Sequence, residues 1–210
     1  MDKQINNMDK EYRSFESRAT VDPESRKIEG YALLFNTESK PMFGGELVER
    51  IASTALDGTL ERSDVLCVVN HNPDRGVLAR FRNGGGSLSL TVDDKGLKYA
   101  FEAPNTALGD ELVESLKRGD ITESSFCFSC KKDKYDKRAD GVYVRTILEI
   151  EAIYDVSPVY KPAYSGTKVS LRSFDDYKAE EERKEAKRLA EIKAEEMRIY
   201  YNELENRYNN

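Results

Sequence analysis

Hydrophobic and polar positions along this chain follow first a strand-like and then a helical period. Lys27-Ile28-Glu29-Gly30-Tyr31-Ala32-Leu33-Leu34-Phe35 predicts a strand, and Val65-Leu66-Cys67-Val68-Val69 is continuously apolar, as in a strand buried on both faces. Ser87 to Val92 alternates with period two, Asp93-Asp94-Lys95-Gly96 is a turn, and Leu97 to Glu102 returns as the second arm of a hairpin. The period then becomes helical, with Leu108, Leu112, Val113 and Leu116 on one face. Asn105-Thr106 offers a cap, Lys117-Arg118 puts bases in the last turn, and Gly119 stops the helix. Ile121 to Cys130 predicts another strand and Lys131 to Gly141 a charged hairpin loop. Val142 to Val159 is one long or two short strands, and Pro158 and Pro162 close the run. Antiparallel strands with one or two inserted helices predict an α+β fold built on a closed β-barrel.

The final segment differs. Asp175 to Asn210 holds 11 acids and 8 bases in 36 residues, with no Gly or Pro, and predicts a long helix. Ala190, Ala194, Met197, Tyr201, Leu204 and Tyr208 make one narrow stripe, too poor in Leu and Ile to assure a coiled coil. It suits a solvated helix or one that binds a partner or another copy. The chain therefore divides into an N-terminal extension (1–25), a domain (26–174) and a charged helical tail (175–210).

Composition narrows the function classes. Of 210 residues, 34% are charged, above the roughly 25% of an average globular protein. The formal net charge of -6 argues against a general nucleic-acid binder, which needs a basic surface. No stretch approaches the ~20 apolar residues of a membrane span, and the N-terminus MDKQINNMDKEYR has no apolar signal-peptide core. Three cysteines cannot all pair with one another, so a reducing cytosol is the expectation.

The single histidine excludes any site that needs two. His71 follows the buried run and precedes Asn72-Pro73-Asp74, so it stands where a strand gives way to a turn. There it can serve as a general base or be an ordinary turn residue. Ser124 and Ser125 begin the strand after the helix. If Phe126 and Phe128 face the core, Ser125, Cys127 and Ser129 share the opposite face, which disfavours Ser124. Glu149, Glu151 and Asp155 share a parity, and one of them could orient the histidine. Arg80, Arg118 and Arg145 are candidates for charge stabilisation. Cys127-Phe128-Ser129-Cys130 is a lone C-x-x-C on a strand, a weak zinc signal. A cysteine nucleophile, Cys67 or Cys127, is a further reading; Cys67 lies in an apolar run, where burial disfavours a thiolate.

Six segments in order resemble the prohead (procapsid maturation) proteases of tailed bacteriophages, a family related in fold to the herpesvirus assemblins. They are IEGYALLFNTES (28–39), LVERIASTAL (47–56), VLCVVNHNPDRGVLAR (65–80), GGGSLSLTVDDKGLKYAFEAPNT (84–106), ELVESLKRGDITESSFCF (111–128) and DVSPVYKPAYSGTKVSLR (155–172). The resemblance implies a serine endopeptidase with an assemblin-like barrel, His71 as base and Ser125 as nucleophile. Cys127 stands where family members often have Gly. The third member maps onto Asp155 in the family's D/E-V-S unit, with Glu149 as the alternative. Backbone amides and an arginine would hold the oxyanion. The implied substrates are the major capsid protein, scaffolding segments and the protease itself, inside the immature procapsid in the host cytoplasm. No metal or organic cofactor, nucleic acid or membrane is implied. The competing reading is a catalytically inactive assembly or scaffolding protein with the same fold.

Overall fold

Two long strands carry the site in this computed structural model, which describes residues 10–15, 19–22, 24–160 and 168–208. In chain order the strands are β1 (Glu11–Phe15), β2 (Thr20–Val21), β3 (Lys27–Leu34), β4 (Leu47–Ile51), β5 (Asp64–Cys67), β6 (Ala79–Arg82), β7 (Gly85–Gly86), β8 (Leu88–Val92), β9 (Gly96–Glu102), β10 (Glu123–Lys137) and β11 (Tyr143–Val159). Helix α1 (Ala107–Arg118) lies between β9 and β10, and α2 (Lys168–Tyr208) comes last.

The β10–β11 hairpin is the axis of a seven-stranded sheet in the order β1-β10-β11-β5-β6-β7, with β4 also paired to β11. One edge of β10 takes β1. β11 takes β4 in parallel along Tyr143–Ile147 and β5 in parallel at Asp155 and Val156. A second sheet runs β2-β3-β9-β8. Residues of both sheets and of α1, among them Ile28, Leu33, Leu97, Tyr99, Phe126, Phe128, Ile147, Val156 and Leu112, join in one hydrophobic core. Burying each such large side chain contributes about 1.5–3 kcal/mol.

The predicted α+β class and the early elements agree with this architecture. Thr106 caps α1 through Gly109 N, and Gly119 takes the left-handed conformation (φ 78°) that ends it. Gly96 is required at the start of β9, because a Cβ there would meet the Leu33 carbonyl oxygen at 2.0 Å. The expected closed barrel is not seen among the described residues, where neither sheet closes on itself.

The charged loop predicted over 131–141 is also corrected. Strand continues to Lys137, and the turn is confined to 138–142, where Arg138 N donates to Val142 O and Gly141 adopts φ 88°. Charged side chains on an exposed strand face cost little, and the ladder to Tyr143–Glu149 satisfies the backbone. Pro162 lies outside the described residues.

The chain forms two compact units, 1–169 and 170–210. Helix α2 begins at Lys168, seven residues before the change in charge density, and makes up most of the second unit. Its stripe residues Met197 and Tyr201 are exposed, and its surface carries i,i+3 ion pairs such as Glu185–Arg188 and Glu195–Arg198. Lys184 likewise pairs with Glu181 (3.1 Å). Exposed pairs of this kind stabilise weakly.

Candidate active site

The site is assembled where β5 runs out alongside β11. The parallel pairing of Leu66 with Asp155 and Cys67 with Val156 is prolonged past the strand end: Val68 N donates to Val156 O (3.3 Å) and Asn70 N to Pro158 O (3.1 Å). The chain then turns through two left-handed residues, Asn70 (φ 52°) and His71 (φ 55°). Asn and His tolerate this region better than most non-glycine residues. Asn70 Oδ1 further accepts from Tyr160 N (3.0 Å). This turn brings the His71 ring to Ser125 on β10 and Asp155 on β11, residues 54 and 84 positions away.

His71 Nε2 lies 2.6 Å from Ser125 Oγ, and His71 Nδ1 lies 2.5 Å from Asp155 Oδ1. A carboxylate only accepts, so Nδ1 carries a hydrogen. In the neutral ring Nε2 is then the acceptor for the Ser125 hydroxyl. Ser125 is fully buried, and the His71 and Asp155 side chains keep only 13% and 14% of their surface. Ser125 Oγ also lies 2.9 Å from the Arg13 carbonyl. The hydroxyl has one hydrogen and two acceptors. With neutral His71 it goes to Nε2; with the imidazolium, Nε2–H donates to Oγ and the hydroxyl turns to Arg13 O.

Parity separates the two serines. Ser124 Oγ is buried on the opposite side of β10 and bonds the Tyr99 hydroxyl at 2.8 Å. The alternative third member, Glu149, pairs at the surface with Lys131 (3.0 Å), whose hydrogen bond and charge hold its carboxyl below the usual range. Glu151 is exposed, and its backbone carbonyl accepts from Arg62 Nε. The three arginines weighed for charge stabilisation are bound to carboxylates: Arg80 to Asp64, Arg118 to Asp120 and Arg145 to Glu11, Glu49 and Asp133.

The thiols do not suit nucleophilic or metal chemistry. Burial, with the Asp155 charge, pushes Cys127 up to about 12 and Cys67 well above its ordinary value. Both remain protonated near neutral pH and are poor nucleophiles. Among the described residues, no three His, Cys, Asp or Glu side chains gather as a metal site.

Three contributors were not picked out from sequence. Tyr12 of β1 stands edge-on to the His71 ring (4.7 Å between centroids, 72°). Arg13 supplies its carbonyl. Ser157 Oγ lies 2.7 Å from Asp155 Oδ1 and 3.2 Å from both His71 N and His71 Nδ1. Ser157 could have been found by parity, since it lies two residues beyond Asp155 on one strand face. Nothing local distinguishes Tyr12 or Arg13, whose positions depend on pairing of β1 with β10.

The family description "caudovirus prohead serine protease" matches residues 13–180. The chain belongs to this family. Family membership makes phage capsid maturation the expected setting. The match begins at Arg13, so β1, which the sequence reading put in the N-terminal extension, falls largely within it. No curated protein and no solved structure matches the chain. Among the described residues, no helix is long and apolar enough to cross a membrane.

Proposed function

We propose that this prohead protease family member is an active serine endopeptidase that cuts scaffolding and capsid protein segments, and itself, during procapsid maturation inside the host cell. The observation that carries this reading is the hydrogen-bond path from Ser125 Oγ through His71 to Asp155, with links of 2.6 and 2.5 Å. Nucleophile, base and orienting carboxylate are thus within the reach that general-base activation of a hydroxyl requires.

In this reaction Ser125 Oγ bonds to the scissile carbonyl carbon and its proton passes to His71 Nε2. The C–N bond breaks as His71 returns that proton to the leaving amine. Water then attacks the acyl-enzyme and gives one proton to His71, and the Oγ–C bond breaks as His71 passes that proton to Oγ, releasing the acid and restoring Ser125. Asp155 keeps Nδ1 protonated and stabilises the imidazolium.

The charged tail is read as a scaffold-like helix that binds capsid or scaffold subunits and is removed by self-cleavage. Tail-deleted protein that enters procapsids at normal levels would rule that out. For the enzyme itself, co-expression with the cognate capsid protein should yield size-reduced products. Ser125→Ala and His71→Ala should each abolish them; normal processing by both variants overturns the assignment.

A further inference from the structure

We propose that Ser157 is a positioning residue that ties the Asp155 carboxylate to the His71 turn and limits the pull of that carboxylate on the imidazole. This rests on the hydrolase reading above and adds a fourth group to its hydrogen-bond path.

Ser157 is fully buried, and in the β10–β11 register it stands directly opposite Ser125. Its single hydroxyl hydrogen has one strong acceptor, Asp155 Oδ1 at 2.7 Å. Its oxygen in turn accepts from the His71 backbone N–H at 3.2 Å. Nδ1 is also 3.2 Å away, but its hydrogen points to Asp155 at the shorter 2.5 Å. One hydroxyl therefore holds both the carboxylate and the main chain of the histidine it orients. The main-chain bond matters because His71 stands at φ 55°, where a non-glycine residue needs its surroundings to hold it.

Asp155 Oδ1 takes two donors, Nδ1–H and Ser157 Oγ–H. Each draws on the same negative charge, so the serine bond weakens the hold of the carboxylate on a protonated ring. Its removal should strengthen that hold. The acid limb of reactivity, which requires neutral His71, should then move upward.

Other titratable groups facing this pair do not obscure that limb. Tyr12 on β1 and Cys127 on β10 face the pair, and Cys67 on β5 lies on the core side of the sheet beside Val156, near enough to feel the Asp155 charge. Burial pushes the Tyr12 phenol and the Cys127 thiol each up to about 12, and Cys67 is also raised by burial. All three stay neutral across the range in which imidazole titrates.

The test uses the full chain and a fluorophosphonate, which reacts at an activated serine and needs no knowledge of the cleavage site. The rate of Ser125 labelling is followed from pH 5 to 9 in wild type, Ser157→Cys, Ser157→Ala and Ser157→Thr. Ser157→Cys keeps the side chain's shape and leaves no cavity but is a weak donor, and Ser157→Ala removes the bond without adding bulk, so a change shared by both reports the bond rather than the packing. Both Cys and Ala variants should label about 10-fold more slowly, with the acid limb about half a pH unit higher, and Thr should restore the wild-type limb. A limb unmoved or lowered in Ser157→Cys, while wild type labels, overturns the role of Ser157 alone. Wild-type labelling no faster than that of Ser125→Ala overturns the hydrolase reading and this role with it.

Discussion

The two ends of the β10–β11 hairpin both bury polar groups, and they do so for opposite ends. Near the turn, Arg13, Arg145, Glu11 and Glu49 are all under 5% exposed and form a closed ionic cage. Arg13 reaches Glu49 (2.5 Å) and Glu11 (2.6 Å); Arg145 reaches both carboxylates and, through Nε, Asp133 (2.6 Å). Burial alone would make the Arg145 guanidinium easier to deprotonate. Glu49 and Glu11 outweigh it and hold its pKa far above the ordinary value. Both guanidiniums therefore keep their protons near neutral pH. At the other end, the path runs through an imidazole, the one side chain whose unperturbed titration lies near neutrality. Buried polar networks therefore fasten strands or move protons according to the groups in them. Arg13 belongs to both ends: its guanidinium sits in the cage and its carbonyl faces Ser125.

The sharpest break in this comparison comes at the proposed nucleophile. Ser125→Ala and His71→Ala should each lower peptide hydrolysis by about 10⁶-fold, and the double variant should be scarcely worse, because the groups act as a unit. Purified-component cleavage assays measure this; additive losses would contradict it. Asp155→Asn should cost about 10⁴-fold with little change in thermal unfolding, through loss of the charge and tautomer that Asp155 imposes. The matched change at the alternative position, Glu149→Gln, should leave activity unaltered, since Glu149 pairs with Lys131 at the surface.

The cage should respond in stability first. Glu49→Gln leaves two buried guanidiniums short of a countercharge and should destabilise by about 3–5 kcal/mol in urea unfolding. A variant as stable as wild type would show that the cage does not fasten β1 and β4. The smallest effect is expected at the thiols. With Cys127 near 12 against about 8.5 for a free cysteine, iodoacetamide at pH 8 should react with it about 10³-fold more slowly than with free cysteine and leave hydrolysis intact. Rapid alkylation with loss of activity would revive a cysteine nucleophile.

Much was legible before any coordinates. Strand β3, the β8–β9 hairpin and helix α1 with its Thr106 cap depend on local period and turn chemistry, which neighbouring residues carry by themselves. The lone histidine confined any imidazole base to His71, and strand parity preferred Ser125 to Ser124. The extent of β10 was misjudged because charge content marks exposure, and an exposed strand face can be as charged as a loop.

Tertiary structure decided the rest. Asp155 and Glu149 share a parity in the sequence, but register shifts in the β10–β11 ladder break the alternation between them, and the parallel pairing of β5 at Asp155 brings His71 to one and not the other. Tyr12 and Arg13 became site residues through the pairing of β1 with β10, strands far apart in the chain. The chain by itself named the reactive residue types and the faces they occupy, because those follow from backbone periods. Which of them meet is set by long-range strand pairing, a contact between segments that no local pattern records.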